Sequence, residues 1–253
     1  MNKLKIALTQ MRCEKSEIEK NLKTIEDYIK ESINNGCEII CFPEMSITGY
    51  INPIKNIEAV IKLNSIPLSH ILDLSRIYNI IIIAGFTEFN PDGKPFITQI
   101  AVKNGELICV YRKITIAEDE KDWFSPGKEL GIFTYREIKI GLSVCADIDN
   151  ELLFKEYATE NVNIVFEAAA PGLYGEQSTR NWKNGFDWWK GECYGKLGRY
   201  SKENKMYIAV STQAGRTADE DFPGGGYIFS PKGDCLFETA DWFEGMLYGE
   251  IVF

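Results

Sequence analysis

The stretch CEIICFP at residues 37–43 is an almost uninterrupted apolar run that stops at a proline, and Glu44 follows it directly. A second run, IIIIAGFTE at 80–88, has the same character. A run this short and this apolar is typical of a β-strand that is buried on both faces. Such strands belong to sheets covered by helices, so these stretches favour an α/β layered fold.

Helical patterns alternate with the strand patterns. Residues 14–34 are charged, with one apolar stripe at helical spacing, and Gly36 follows as a stop. The stripe consists of Ile18, Leu22, Ile25, Ile29 and Ile33. Residues 66–78 and the tryptophan-rich stretch 180–204 also predict helices.

Two hairpin signals indicate that the sheets are mixed. Asn104-Gly105 separates the strand-like runs 96–102 and 106–111, and both residue types tolerate positive φ. Near the end of the sequence, the turn at 231–234 separates GGGYIFS from CLFE. Antiparallel hairpins therefore accompany the buried strands, and the sheets are not purely parallel.

Composition limits the functions that are open to this chain. Its 253 residues carry 37 acidic and 28 basic side chains, a net charge of −9, so nucleic acid is not an expected partner. The single histidine, His70, rules out a zinc site built from several histidines and makes a Ser-His-Asp triad implausible. No linker or change in composition divides the sequence, so we predict one domain over 1–253.

Cysteine usage and apolar runs predict a cytoplasmic protein. The seven cysteines form no CxxC pair, which favours reduced thiols over a disulfide framework. The beginning of the sequence has no apolar segment and cleavage site typical of a signal peptide. The longest apolar run, at 80–86, is too short to cross a bilayer, so no membrane association is expected.

Three reactive side chains stand at or just past the ends of apolar strands. Glu44 follows CEIICFP, Lys113 follows ELICVYR and Cys145 follows KIGLSV. In open α/β sheets, ligand sites collect at the carboxyl ends of the strands. Each residue also suits a structural role, as a solvated cap, a surface lysine or a core thiol. If the strands are neighbours, a carboxylate, an ammonium and a thiol converge in one pocket.

That combination suits nucleophilic catalysis without histidine. A free thiol has a pKa near ~8.5 and needs a base or a cation to react at neutral pH. Glu44 could take the thiol proton, and Lys113 could stabilise the oxyanion of a tetrahedral intermediate.

The sequences around these residues resemble the motifs of the nitrilase superfamily of carbon–nitrogen hydrolases. FPEMSITGY (42–50) is similar to the glutamate motif of that family, YRKITI (111–116) to its lysine motif and GLSVCADI (141–148) to its cysteine motif. EKDWFSPGKE (120–129) resembles the loop that carries a second glutamate, and the segments 201–215 and 222–234 resemble the last core segments. The resemblance covers essentially the whole chain.

This resemblance implies a fold and a reaction. The fold would be a four-layer α-β-β-α sandwich that associates through a helix face into homodimers or larger homo-oligomers. The reaction would be hydrolysis of a small linear amide through a thioester on Cys145, with Glu44 as the base and Lys113 as the oxyanion stabiliser. Glu120 would be the second glutamate, and the N–H of Ala146 a further oxyanion donor. No metal or organic cofactor is implied.

Several alternatives stay open. An N-carbamoyl-amine hydrolase or a nitrilase would use the same residues, and so would an acyltransferase. A relative without activity could bind a metabolite in the same pocket. The segment 118–131 could close as a lid or pack against another subunit.

The substrate-binding residues are less well defined by the sequence. We expect Tyr50, Ala146, Asp147 and Trp182 to contact the substrate, although Trp182 also suits core or interface packing. Thr115 stands where the family often has histidine, and Asp149 where it often has arginine. The loss of that arginine argues against a substrate bound through a carboxylate or carbamoyl group. An extra acid near the nucleophile instead favours a neutral or amine-bearing substrate.

Overall fold

The computed structural model describes residues 3–253. Its α-helices are α1 (Ile18–Asn34), α2 (Ile66–Tyr78), α3 (Glu151–Thr159), α4 (Trp182–Glu192) and α5 (Gly198–Asn204). Its strands are β1 (Lys3–Gln10), β2 (Ile39–Cys41), β3 (Ile81–Glu88), β4 (Phe96–Lys103), β5 (Glu106–Arg112), β6 (Gly131–Tyr135), β7 (Ile138–Val144), β8 (Ile164–Ala169), β9 (Tyr207–Thr212), β10 (Ala214–Arg216), β11 (Asp221–Pro223), β12 (Tyr227–Phe229), β13 (Cys235–Glu238) and β14 (Gly245–Val252).

Two six-stranded sheets with the same plan form the centre of the molecule. The first has the order β14-β1-β2-β3-β4-β5 and the second β13-β12-β9-β8-β7-β6. The strands β1, β2 and β3 run parallel in the first sheet, as do β7, β8 and β9 in the second, and the outer strands are antiparallel. The predicted mixture of parallel strands and hairpins is confirmed.

Three clusters of buried apolar side chains define the layers of the molecule. One cluster joins the inner faces of the two sheets, for example Ile6 and Ile39 with Ile140 and Phe166. A second cluster packs α1 and α2 against the outer face of the first sheet. A third packs α3, α4 and α5 against the outer face of the second. The predicted α-β-β-α sandwich is confirmed, and one chain supplies all four layers.

The helices agree with their patterns, with one shift. Helix α2 spans the predicted residues 66–78, but α1 begins at Ile18 and not near Glu14. Ser16 has a φ of 63°, and the side chain of Asn21 bonds both the N–H and the C=O of Glu14, which folds this segment back before the helix. None of the helices in residues 3–253 is long and apolar enough to cross a membrane.

Both predicted hairpins are present, but the sequence patterns do not predict two of the outer strands. Asn104 and Gly105 have φ values of 53° and 81°, as a tight hairpin turn requires. Strands β6 and β14 were not predicted, because each is only partly buried and lacks a continuous apolar run. Strand β14 pairs with β1, from the opposite end of the sequence, and local patterning cannot reveal such a partner.

Candidate active site

The two sheets bring Glu44 and Cys145 to the same edge of the sandwich. Glu44 follows β2 and Cys145 follows β7, and each strand lies inside its sheet. The backbone turns sharply at both places: Met45, just after the glutamate, has a φ of 49° and Cys145 itself a φ of 46°. Such a φ is uncommon for residues other than glycine and marks strain that the surrounding structure must hold in place.

Lys113 follows β5 and connects the two glutamates. Its Nζ lies 2.9 Å from Oε1 of Glu44 and 2.9 and 2.8 Å from the two oxygens of Glu120. All three side chains are at most 1% exposed. A buried ammonium between two carboxylates is stable only with good geometry on every side, so the cluster is tightly fixed.

Further donors hold the glutamates in position. The hydroxyl of Tyr50 donates to Oε1 of Glu120 over 2.6 Å, and the N–H of Ala117 donates to Oε2 over 2.9 Å. The N–H of Ala170, just past the end of β8, donates to Oε2 of Glu44 over 3.1 Å. Both carboxylates are therefore held by the backbone as well as by the lysine.

Burial and the neighbouring charges shift the pKa values of the cluster. Burial raises the pKa of Glu44 to about 7, although the charge of Lys113 opposes this effect. Burial, followed by the negative charge of Glu44, also raises the pKa of the Cys145 thiol well above its usual value. Burial lowers the pKa of Lys113, but Glu44 and Glu120 outweigh it and hold this pKa well above the usual value. A protonated thiol thus faces a permanent cation and a carboxyl group that titrates near neutrality.

Cys145 opens on a cavity of about 220 Å³. Lys113, Glu120, Tyr50 and Ala146 line it together with the cysteine, and Glu44 is not in the lining but contacts Lys113. Aromatic rings and a charged rim also line the cavity: Tyr174, Trp188, Trp189, Asp119, Asp149, Glu192 and Lys196. The cysteine is half-buried and is therefore reachable from this cavity.

Asp147 does not line this cavity, which corrects its assignment as a substrate contact. It is fully buried, and its oxygens accept from the Tyr111 hydroxyl at 2.6 Å, the Thr115 N–H at 2.8 Å and the Val144 N–H at 3.0 Å. The carboxylate connects the end of β5 to the turn that carries Cys145. Its role in this structure is to position that turn.

Trp182 also lies elsewhere, because it is the first residue of α4 and the opposite end of this helix meets the cavity. It lines a separate pocket with Trp242 and Phe243. The rings beside Cys145 are Trp188 and Trp189, and the indole N–H of Trp189 donates to Oγ1 of Thr212 over 2.9 Å. Trp182 and Trp189 are seven positions apart in the helix, a rise of roughly 10 Å.

The two departures from the family motifs have clear partners. Thr115, in place of histidine, donates its N–H to Asp147 and accepts a bond from the Asn150 amide over 3.1 Å. Asp149, in place of arginine, lies 2.5 Å from Nζ of Lys196. The acid expected to act on the substrate is therefore neutralised by a lysine of the chain itself.

The segment 118–131 is bound to the first sheet. The N–H of Gly127 donates to the carbonyl of Lys113 over 2.8 Å, and the N–H of Ser125 donates to that of Pro95 over 2.9 Å. A side chain at Gly127 would meet the Arg112 carbonyl at 2.0 Å, so this approach requires glycine. The segment thereby holds Glu120 in place beside Lys113.

Sequence reasoning missed the rim formed by Glu192 and Lys196. Together with Trp188 and Trp189 they recur at a helical spacing of three or four residues, which would have indicated a shared face. Within residues 3–253 no group of three or more His, Cys, Asp or Glu is arranged to hold a metal ion.

Comparison with known proteins agrees with this fold. In solved structures, the fold resembles that of an amidase from Nesterenkonia sp., with a TM-score of 0.82 at 20% identity over 98% of this chain and 90% of the other. The sequence model of the carbon–nitrogen hydrolase family matches residues 5–253. The chain belongs to the carbon–nitrogen hydrolase family, as its motifs predict.

The curated relatives divide into two groups by length. A glutamine-dependent NAD(+) synthetase of Acinetobacter baylyi is 26% identical over 99% of this chain, which spans 44% of that protein. The match to the corresponding protein of Thermotoga maritima is 28% identical over 59% of this chain and 27% of that protein. A nitrilase of Pyrococcus abyssi is 26% identical over 98% of this chain and 89% of its own length. A 2-oxoglutaramate amidase of Bacillus subtilis is 25% identical over 91% and 84%.

Proposed function

We propose that this protein hydrolyses the C–N bond of a small linear amide through a thioester on Cys145. One observation carries the proposal. The buried Lys113 ammonium contacts both Glu44 and Glu120, and it lines the same cavity as Cys145. Burying these charged groups costs desolvation free energy, and a pocket that only binds a ligand does not need a base, a cation and a thiol side by side.

The first half-reaction forms the acyl-enzyme. Glu44 accepts the thiol proton while sulfur attacks the carbonyl carbon, and negative charge moves to the carbonyl oxygen. The Lys113 ammonium and the Ala146 N–H stabilise this oxyanion. Glu44 then gives its proton to the nitrogen, the C–N bond breaks, and ammonia or an amine leaves.

The second half-reaction releases the acid. Glu44, again a carboxylate, accepts a proton from water as the water oxygen attacks the thioester carbon. The C–S bond breaks and the sulfur recovers the proton. Glu120 acts as a positioning residue that holds Lys113, and Tyr50 in turn holds Glu120.

The relatives support a nucleophilic cysteine and an amide substrate. In a glutamate-to-glutamine mutant of the Nesterenkonia amidase, the acetamide moiety of fluoroacetamide is covalently added at the active-site cysteine. A 2-oxoglutaramate amidase and an omega-amidase of Danio rerio are among the curated relatives. An amide is therefore favoured over a carbamoyl amine or a nitrile, although a citrullinase and a nitrilase are also among the relatives.

We also propose a reducing compartment and a homo-oligomer. All seven cysteines are free thiols and five of them are buried, which suits a cytoplasm. Exposed apolar side chains on the outer helices, such as Leu152 and Ile77, are available for contact between copies.

An ammonia-release screen over linear amides, carbamoyl amines and nitriles tests the proposal. We expect ammonia from an amide without any added acyl acceptor, an acyl adduct on Cys145 in quenched samples, and no turnover by Cys145→Ala. Cys235→Ala is the matched control, since Cys235 is the other half-exposed thiol. Turnover that survives in Cys145→Ala, or that requires an acceptor, would overturn the proposal.

A further inference from the structure

The charges around the cavity point to a substrate with a positive charge. We propose that the acyl part of the amide carries an ammonium group and that Asp119 selects it; this inference rests on the proposed function. It begins with the ionisable groups that line the cavity, which are four carboxylates and two ammonium groups with a net charge of −2. A net charge in a cleft favours ligands of the opposite sign.

The cations of the cavity are already paired within the chain. Lys113 is held between Glu44 and Glu120, and Lys196 lies 2.5 Å from Asp149 and 2.5 Å from Glu192. A carboxylate of a substrate would have to displace one of these partners. In the free protein each cation is compensated internally, so none is left for a substrate carboxylate; Lys113 is released toward the oxyanion only once Glu44 carries the thiol proton.

In the adjoining cavity, too, the cation is paired within the chain while an acid is not. This cavity has a volume of about 460 Å³ and shares Gly172, Tyr174 and Trp188 with the cavity of Cys145, so a longer substrate could extend into it. Its cation, Arg180, lies 3.1 Å from the Asp221 carboxylate and also donates to the carbonyls of residues 173–175. Its acid, Glu176, has no ion pair within residues 3–253.

Asp119 is the acid at the mouth that is available to a ligand. It lines the cavity of Cys145, it is exposed, and its side chain has no ion pair or hydrogen bond within the described chain. The rings of Tyr174 and Trp188 lie in the same lining and are 87% and 45% exposed. Aromatic faces and a carboxylate together favour an ammonium group and offer little to an anion.

A matched set of amides tests the charge preference. Ammonia release is measured for 4-aminobutanamide, pentanamide and 5-amino-5-oxopentanoate, which share three methylenes and end in an ammonium, a methyl and a carboxylate. We expect kcat/KM to fall in that order, with about a fivefold step from the cation to the neutral amide. Added salt should reduce the step. A preference for the anion, or equal values for all three, would overturn the inference.

Variants assign the preference to Asp119. Asp119→Asn should reduce the ratio of the kcat/KM values for the cationic and neutral amides to near unity. Glu118→Gln is the control, because Glu118 precedes Asp119, is 89% exposed, pairs with Lys121 and does not line the cavity. An unchanged ratio in Asp119→Asn would overturn the assignment. Turnover of the neutral amide that depends on Cys145, without a cation preference, would reject this inference and leave the proposed function standing. Turnover in Cys145→Ala would reject the proposed function.

Discussion

Two buried carboxyl groups, Glu44 and Glu167, lie at the same end of this fold in opposite surroundings. Both are fully inaccessible to solvent. Glu44 has the Lys113 ammonium at 2.9 Å and the Ala170 N–H at 3.1 Å. Glu167, in β8, has no hydrogen-bond partner for either oxygen within residues 3–253. One carboxyl group is built into a polar cluster and the other is surrounded by the core.

The pKa values of the two groups show how the Lys113 ammonium limits the effect of burial on Glu44. Burial raises both, but the pKa of Glu44 stays at about 7 because Lys113 favours its charged form. The pKa of Glu167 is raised well above its usual value, chiefly by desolvation. Glu44 is thus able to exchange a proton near neutral pH, while desolvation favours the protonated form of Glu167. A buried carboxyl group becomes a useful base only where a fixed cation accompanies it.

The largest effect is expected from removing the base. Glu44→Gln keeps the shape of the side chain but cannot accept a proton, so amide turnover should fall by about 10²- to 10⁴-fold. Glu167→Gln is the matched control, and its turnover should stay within about twofold of the parent if the two carboxyl groups differ as described. Ammonia release with saturating amide measures both. Equal losses in the two variants would contradict the comparison.

Removing the cation should affect stability most. Lys113→Met leaves Glu44 and Glu120 buried without a positive partner, which should lower the free energy of unfolding by about 3–5 kcal/mol. Urea denaturation measures this loss. Lys3→Met, in an exposed pair with Glu250, is the control and should leave the urea midpoint nearly unchanged. A Lys113→Met protein as stable as the parent would show that the lysine is not essential to the cluster.

The pKa of Glu44 predicts the pH dependence of activity. The carboxylate is the active form, so kcat/KM should rise with pH through about 7 and reach a plateau above it. The value at pH 8 should exceed that at pH 6 by roughly tenfold. Initial rates at low substrate concentration measure this profile. A profile that is flat between these pH values would exclude Glu44 as the base.

The smallest expected effect is the contribution of Glu167 to the pH dependence of stability. Its raised pKa means that, above the unfolded-state value of about 4.3, the folded protein keeps a proton that the unfolded chain has lost. This group therefore makes the protein less stable as pH rises, by at most about 1.4 kcal/mol per pH unit.

Glu167→Gln removes this pH dependence. The variant should gain stability relative to the parent, and the gain should be larger at pH 8 than at pH 5. Urea titrations of both proteins at the two pH values measure the difference. A gain that shrinks as pH rises would mean that Glu167 is ionised in the folded protein.

The sequence predicts the frame and the reactive centre because both depend on short-range patterns. The apolar runs that define β2, β5 and β7 are the same runs that deliver Glu44, Lys113 and Cys145. Once these strands are placed in sheets, their ends meet at one edge. The family motifs then name the residues that local patterning could only suggest.

Long-range pairing explains what the sequence could not predict. Asp149 has the expected position, but Lys196, 47 residues further along, neutralises it. Asp147 matches a motif, yet its bonds to Tyr111 and Thr115 bury it beneath the cavity. The aromatic pattern of α4 does not say which end of the helix faces Cys145, so the prediction of Trp182 as a substrate contact is wrong and Trp188 lines the cavity.

The central claim is that the buried Glu44–Lys113 pair activates one thiol among seven. Iodoacetamide labelling followed by peptide mass spectrometry tests it, with Cys235 as the internal standard because that thiol is also half-exposed. We expect Cys145 to be modified stoichiometrically and at least about tenfold faster than Cys235, and Glu44→Gln to abolish the difference. Equal labelling of Cys145 and Cys235 in the parent protein, or the same fast labelling of Cys145 in Glu44→Gln, would contradict the account.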